Sequence, residues 1–253
     1  MFQMSFTKSI LCFCVSIILF SNCEDTHSKK NKQSTERNKD TIRIKETKKI
    51  NEEVSSKVKA DIEEKIYNEE PFKLSNKNLR EFMSAYGKEN PETLVNIKTT
   101  YGDIHIKLYK ETPIHRANFI YLVKQKYFDE TFFYRVAKGF VIQGGNSDRQ
   151  QTANKRFEIG EYTIPQEPVK GLKHVRGAVA LSKQWVDNPS NRSTPYEFFI
   201  VIAKKGAAHL DGEHTIFGKV VKGMNVADKI SNVPVDGSEW PKENIFITAE
   251  VIQ

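Results

Sequence analysis

From Thr93 onward the chain is built of short segments in which apolar and polar residues alternate, and this pattern constrains its fold most. Val95 and Ile97 flank Asn96, and after a turn the alternation resumes at Ile104. Such alternation is typical of a β-hairpin with one apolar face. The same criteria predict further strands over residues 132–136, 140–143, 177–182, 197–202, 215–221 and 245–252.

Two helices are predicted among these strands. Thr112 followed by Pro113 is an N-cap with proline at the first helical position, and it predicts a largely buried helix that ends near Gln125. Gly223 introduces a second helix, Asn225–Ile230. Many short strands with two helices indicate a mainly β domain, in which an antiparallel sheet closes into a barrel and the helices cover its ends.

Charge and cysteine content exclude two classes of protein. The formal net charge of +7 is spread evenly, because residues 1–90 hold 17 Lys/Arg against 14 Asp/Glu and the remaining residues carry the other +4. A nucleic-acid surface needs a basic stripe or patch, so we expect no nucleic-acid partner. The cysteines are Cys12, Cys14 and Cys23. With none beyond them, a disulfide-bonded secreted scaffold is excluded.

The N-terminus has the features of an export signal. Lys8 precedes the apolar run Ile10–Phe20, which is shorter than the roughly twenty residues that a membrane-spanning helix needs. The sequence Phe20-Ser21-Asn22-Cys23 resembles a bacterial lipobox. We therefore predict a lipoprotein signal peptide over residues 1–22, and export to a bacterial cell envelope with lipid attachment at Cys23. An ordinary signal peptide with a chance cysteine and a retained N-terminus are the alternatives.

Residues 23–74 are predicted to form a charged tether that is disordered or partly helical. The stretch is rich in Lys, Glu, Asn, Ser and Thr, so it cannot bury enough apolar area to offset the entropy of ordering. Leu79 and Met83 then begin a run of apolar residues with helical spacing. This spacing predicts a short packing helix within residues 75–90, and the main domain follows over residues 91–253.

One segment, Phe133–Gly145, carries the chemistry of a binding site. It sets Arg135 and Gln143 over alternating apolar residues on predicted strands, and it ends in a glycine pair. A guanidinium and an amide over an apolar floor suit an uncharged backbone amide better than bond cleavage, which needs a nucleophile or metal ligands. Taken alone, however, Arg135 is explained more simply as an arginine on an exposed strand face.

The stretch His209–His214 offers several potential metal ligands, but its Asp211-Gly212 pair predicts a tight turn rather than a zinc site. We expect a histidine here to hydrogen-bond a substrate or a loop. The sequence contains neither a Gly-x-Ser-x-Gly nucleophile elbow nor a Walker-type phosphate loop.

These motifs, in this order, resemble the cyclophilin family of peptidyl-prolyl cis-trans isomerases. The resemblance covers about residues 91–252, and its main blocks are Asn118-Phe119, Phe133-Tyr134-Arg135, Gln143-Gly144-Gly145, Phe198-Phe199-Ile200, Leu210-Asp211-Gly212-Glu213-His214 and Ile216-Phe217-Gly218. It implies an eight-stranded antiparallel closed barrel capped by two helices. The overall form is most similar to exported bacterial cyclophilins.

The resemblance also implies roles for individual residues. Arg135 would donate toward the proline nitrogen and hold the substrate carbonyl, while Gln143 would orient the arginine. The implied substrate-binding residues are Phe140, Val141, Ser182, Glu197, Phe199, Leu210 and His214. The apolar members of this set would form a dry pocket for the proline ring. No cofactor or metal is implied, and the expected partners are proline-containing unfolded or extended protein segments.

The sequence departs from the family pattern at several positions. Val141 stands where methionine is usual, His209 where tryptophan or phenylalanine is frequent, Glu197 in place of a glutamine and Lys183 in place of a common asparagine. The connection over residues 146–173, for which no helix or strand is predicted, lacks the glycine-rich sequence of the family. We expect these changes to alter substrate preference and to weaken the binding of cyclosporin-like ligands, while catalytic activity is retained.

Two functions are compatible with these observations. The first is a monomeric, cofactor-independent isomerase, held at the membrane through Cys23, that accelerates rotation about bonds preceding proline and assists the folding of exported or envelope proteins. The intact motifs and the export signal favour it. The second is an envelope-tethered module that binds proline-containing segments with little turnover. The changes at Glu197 and Lys183 and the long tether favour this alternative.

Overall fold

The computed structural model describes residues 71–184 and 187–252. The predicted signal peptide, the lipid-attachment residue Cys23 and the tether up to residue 70 lie outside the described residues. In the described part the strands are β1 Leu74–Ser75, β2 Leu94–Thr99, β3 Gly102–Leu108, β4 Phe132–Ala137, β5 Val141–Asn146, β6 Gly160–Glu161, β7 Ala178–Lys183, β8 Ser193–Val201, β9 Ile216–Lys222 and β10 Thr248–Val251. The α-helices there are α1 Leu79–Glu89, α2 Pro113–Lys124, α3 Gln150–Ile159 and α4 Met224–Ile230, and short 3₁₀ turns span Phe128–Glu130 and Ala208–Leu210.

Eight of the described strands form one antiparallel sheet in the order β10-β2-β3-β9-β7-β8-β5-β4. This confirms the mainly β architecture, but the predicted closure of the barrel is wrong, because among the described residues the edge strands β10 and β4 share no ladder. A single bridge, Phe132 with Phe246, and a hydrogen bond from the Phe133 amide to the Ile245 carbonyl at 2.9 Å span the gap. Register shifts on both sides of Phe133 make β4 irregular, and such bulges disrupt a ladder.

Strand β8 separates two apolar clusters. The Phe198 ring lies in the main core, with its centroid 5.5 Å from that of Phe119 and 5.9 Å from that of Phe133. Phe199 belongs instead to a smaller cluster that includes Val141. Successive side chains of a strand point to opposite faces of the sheet, so the smaller cluster lies on the face away from the main core.

The predicted helix after Thr112 is confirmed, and nine of the twelve residues of α2 are buried. A helix in the connection 146–173 was not predicted, and α3 lies there. Its sequence is polar and only Thr152 and Ile159 are buried. The segment therefore lacks the apolar stripe by which an amphipathic helix is predicted. None of the helices within the described ranges is long and apolar enough to cross a bilayer.

Helix α1 packs directly against α2. A Cβ atom on Gly87 would lie only 3.0 Å from the Cβ of Ala117, so the two helices approach as closely as a glycine permits. Arg116 of α2 donates hydrogen bonds to the carbonyls of Gly87 and Asn90, both at 2.7 Å. Leu79 and other apolar residues of α1 are buried in the same main core, so this segment is an integral part of the fold.

Candidate active site

Strand register brings three of the predicted site residues together. Arg135 on β4 is the cross-strand partner of Gln143 on β5, and Gln143 is in turn the partner of Phe199 on β8. Cross-strand partners share one face of a sheet, so the three side chains project to the same side. They line a groove of about 460 Å³. All nine residues predicted for catalysis or substrate binding line this groove, together with Tyr134, Lys183 and His209.

The glycine pair after Gln143 permits close packing beneath the groove. A Cβ on Gly144 would lie 2.9 Å from the Phe198 ring. Gly145 has a φ of +96°, and a Cβ there would lie 2.2 Å from the Tyr196 carbonyl oxygen. These positions therefore require glycine because neighbouring groups approach the backbone.

The guanidinium of Arg135 is held at both of its terminal nitrogens. Nη1 donates to Gln143 Oε1 at 2.5 Å, and Nη2 forms an ion pair with Glu239 Oε2 at 2.6 Å. The arginine side chain keeps 37% of its surface exposed at the groove rim. A guanidinium has five N–H donors, so donors remain for a bound substrate.

Glu239 was not predicted as a site residue. It lies in a turn in which the Asp236 carboxylate accepts hydrogen bonds from the amides of Ser238 and Trp240, at 2.8 and 2.9 Å. Its φ of +66° is unusual for a residue with a side chain, and its carbonyl accepts from the Val136 amide at 2.8 Å. The turn meets Arg135 only in the folded chain, so no local signal could have identified it.

A chain of hydrogen bonds fixes the orientation of Gln143. The Tyr134 hydroxyl oxygen lies 3.2 Å from Glu197 Oε2 and 3.2 Å from Gln143 Nε2. Because a carboxylate can only accept, Tyr134 donates to Glu197 and its oxygen accepts from the Gln143 amide. Gln143 Nε2 also donates to Ser182 Oγ at 3.0 Å. With its NH₂ group engaged in this way, Gln143 presents its carbonyl oxygen to Arg135.

Arg156, on the unpredicted helix α3, contacts the Glu197 end of this series of hydrogen bonds. Its Nη2 pairs with Glu197 Oε1 at 3.3 Å, its Nε donates to the Tyr127 hydroxyl at 2.8 Å, and its guanidinium lies 5.2 Å from the centroid of the Tyr196 ring. Both carboxylate oxygens of Glu197 therefore contact protein groups. Glu197 is half-buried, and a carboxylate in such a place needs a compensating cation. The sequence could therefore indicate that Glu197 has a cationic partner, but not that the partner is Arg156.

The apolar part of the groove is the pocket formed by Phe140, Val141, Phe199 and Leu210. The last three are buried, with at most 7% of their surface exposed, while Phe140 is half-buried at the edge. The exposed His209 ring lies 5.2 Å from the Phe140 ring at a tilt of 30°. An imidazole therefore extends this wall where the family usually has a larger aromatic ring.

Two buried histidines back the pocket. The His214 ring meets Phe199 edge-on, with 5.2 Å between centroids, and its Nδ1 donates to the Leu181 carbonyl at 3.1 Å. Burial lowers the pKa of His214 to about 4, so the ring is neutral at pH 7. His174 stacks on Phe199 at 6.1 Å, and its Nδ1 lies 2.9 Å from Asp211 Oδ1. Asp211 of the predicted turn thus holds the His174 ring that stacks on Phe199.

The groove combines an apolar pocket for a small ring with a cationic donor at its rim. The buried apolar residues keep water away from the pocket side of Arg135. The guanidinium therefore acts more strongly on a group bound in the pocket than it would in water. Because Arg135 lines the same groove as the apolar pocket, its remaining N–H donors are available to a group that gains a lone pair there. Such a site can stabilise a change in charge distribution within a bound amide without forming a covalent bond.

Comparison with known proteins relates the chain to one family. The family model for cyclophilin type peptidyl-prolyl cis-trans isomerases matches residues 94–251. A peptidyl-prolyl cis-trans isomerase of Acinetobacter baylyi is 36% identical over 60% of this chain and 78% of the relative. A peptidyl-prolyl cis-trans isomerase-like 2 of Rhizopus delemar is 37% identical over 66% of this chain, and the match spans 30% of that longer protein. The crystal structure of a Cryptosporidium parvum cyclophilin type isomerase, in the presence of the dipeptide Ala-Pro, is similar with a TM-score of 0.53 at 29% identity, covering 63% of this chain and 99% of that one.

Proposed function

Since this chain belongs to the cyclophilin-type peptidyl-prolyl cis-trans isomerases, and is thus an isomerase enzyme, we propose that Arg135 and Gln143 are its catalytic pair. The pocket of Phe140, Val141, Phe199 and Leu210 receives the proline ring of the substrate. A related structure determined with the dipeptide Ala-Pro supports proline-containing peptides as the substrate class.

The chemistry requires only differential binding. Rotation about a peptide bond faces a barrier of ~18–20 kcal/mol from amide resonance, and bonds preceding proline exchange slowly between two populated isomers. An enzyme accelerates the exchange if it binds the twisted amide better than either planar form. In the twisted state the proline nitrogen regains a lone pair, to which an N–H of Arg135 donates. Gln143 keeps the guanidinium in place, and the dry pocket excludes competing water.

The observation that carries this proposal is the Arg135–Gln143 hydrogen bond of 2.5 Å in the same groove as the apolar pocket. Arg135→Ala is expected to lower kcat/KM for a proline-containing test peptide by at least about tenfold, a loss of ~1.4 kcal/mol of transition-state stabilisation. Arg80→Ala on α1, outside the groove, is the matched control. Equal turnover by the two variants would refute the assigned mechanism.

We further propose that the enzyme acts as a lipid-anchored monomer in a bacterial cell envelope, on exported proteins during their folding. The support is the sequence of the N-terminus, in which a short apolar run precedes Cys23. Metabolic labelling with a radioactive fatty acid should mark the wild-type chain and not Cys23→Ala. Label that persists in the variant would reject the anchor.

A second candidate, a binding module with little turnover, is favoured by the ion pair between Arg135 and Glu239. If this pair restrains the arginine, substrates bind but the twisted amide is poorly stabilised. Glu239→Gln would then raise kcat for the test peptide several-fold. An unchanged or lower kcat, together with rapid turnover by the wild-type chain, would favour the isomerase.

A further inference from the structure

A second cleft adjoins the proline pocket. Its volume is about 590 Å³, and it lies between the turn Lys138-Gly139, the turn Lys204-Lys205 and the C-terminal part of α4. Phe140 follows Gly139 directly and lines the proline pocket. Its carbonyl oxygen accepts hydrogen bonds from the amides of Ile202 and Ala203, at 2.8 and 3.1 Å. Phe140 thus lines the proline pocket, while Gly139 before it and the two residues that bond its carbonyl line the second cleft.

The cleft carries an uncompensated positive charge. Arg176 and Asp228 neutralise each other inside it, through two hydrogen bonds of 2.6 Å from Nη2 to the carboxylate oxygens. Lys138, Lys204 and Lys205 are exposed at its rim, and among residues 71–184 and 187–252 none of the three has a carboxylate within ion-pair distance. Three positive charges on two adjacent turns create a local attractive field for anions.

Several other cations of the described residues are paired with carboxylates. Elsewhere Lys98 pairs with Glu250 at 2.8 Å and Lys124 with Glu92 at 2.5 Å. In the proline groove itself, Arg135 is compensated by Glu239 at 2.6 Å. The three rim lysines instead lie together around one cleft, and Gly139 of that cleft directly precedes Phe140 of the proline pocket.

We propose that this cleft binds acidic side chains of the same protein segment whose proline occupies the neighbouring pocket. The enzyme then prefers prolines that have Asp or Glu a few residues away. An extended chain advances about 3.3 Å per residue, so neighbouring positions of one segment can occupy two adjoining sites together. The inference rests on the proposed function, because it uses the pocket as the place where the proline binds.

Peptide scanning with the full-length chain tests this inference. One test peptide with a central proline is varied by placing Asp, Lys or Ala at each of the three positions before and after the proline. We expect kcat/KM to be about fivefold higher for Asp than for Lys at one or more positions, as several surface charge contacts would produce. The preference should shrink when ionic strength rises from about 50 mM to about 500 mM, because salt screens exposed charges.

Charge reversal locates the recognition. The variant Lys138→Glu/Lys204→Glu/Lys205→Glu should abolish or invert the ratio of kcat/KM for Asp and Lys peptides. The variant Lys77→Glu/Lys88→Glu/Lys222→Glu changes net charge equally at exposed lysines outside the cleft, and it should keep the ratio. An equal ratio in the two variants, or no Asp preference in the wild-type chain, would overturn the proposal. Failure of the wild-type chain to isomerise the Ala peptide would instead count against the proposed function.

Discussion

At the scale of single residues, hydrogen-bond direction in the groove depends on the charge of Glu197. A glutamine there could donate as well as accept, whereas the carboxylate compels Tyr134 to donate and Gln143 to turn its oxygen toward Arg135. Arg156 forms an ion pair with the same carboxylate. Arg156 on α3 thus supports the orientation of Gln143 through Glu197 and Tyr134.

Replacing Arg156 with Met should loosen Gln143 without removing any groove group. We expect kcat for a proline-containing peptide to fall about fivefold with KM little changed, and the free energy of unfolding to fall by ~1–3 kcal/mol, because Glu197 loses its partner. Arg149→Met is the control, since Arg149 precedes the same helix and pairs with Glu130 outside the groove. Steady-state kinetics and chemical denaturation measure both effects. A change in KM alone would contradict the positioning role.

The buried His214 predicts a pH dependence of stability. Its pKa of about 4 in the fold lies below the ordinary value of 6.5, so as the pH falls the unfolded chain binds a proton first. The free energy of unfolding should therefore fall between about pH 6.5 and pH 4, by roughly 2–3 kcal/mol from this residue. Denaturation curves at several pH values should show a shallower slope for His214→Gln.

At the scale of elements, strands and α2 could be predicted because periodicity and capping are local. The predicted strand 197–202 overlaps the observed strand β8 Ser193–Val201. The order of the motifs led to the family resemblance, and the site residues that it implied all line the groove. Three features were beyond such reasoning. Helix α3 has no apolar stripe, the register shifts that make the edge strand β4 irregular have no local sequence signal, and Glu239 reaches Arg135 only through tertiary packing.

The alternation within β8 makes neighbouring phenylalanines unequal. Phe198→Ala removes a ring packed among other aromatic rings of the main core, and it should lower the free energy of unfolding by ~3–5 kcal/mol. Phe199→Ala opens its space toward the groove, so it should cost less stability and raise KM more. Thermal unfolding and peptide kinetics on both variants give the comparison. Equal stability losses with equal KM values would contradict the two-cluster arrangement.

At the scale of the whole molecule, the compact unit is larger than the family match. The match begins at residue 94, whereas the compact unit begins at Pro71. The added segment contributes β1, which pairs in parallel with β6, and α1, whose carbonyls accept from the largely buried Arg116. Residues 71–93 thus satisfy groups that a minimal domain would leave without partners.

Two truncations test this boundary. A fragment that begins at Pro71 should keep the kcat/KM of the full chain for a short peptide, because all groove residues and their supports lie within it. A fragment that begins at Pro91 loses the apolar face of α1 and two of the carbonyl acceptors of Arg116, those of Gly87 and Asn90, while it keeps that of Glu92. Its free energy of unfolding should fall by ~3–5 kcal/mol, since the buried apolar contacts of Leu79 and Met83 with the main core are lost. Equal free energies of unfolding of the two fragments would show that α1 does not stabilise the domain.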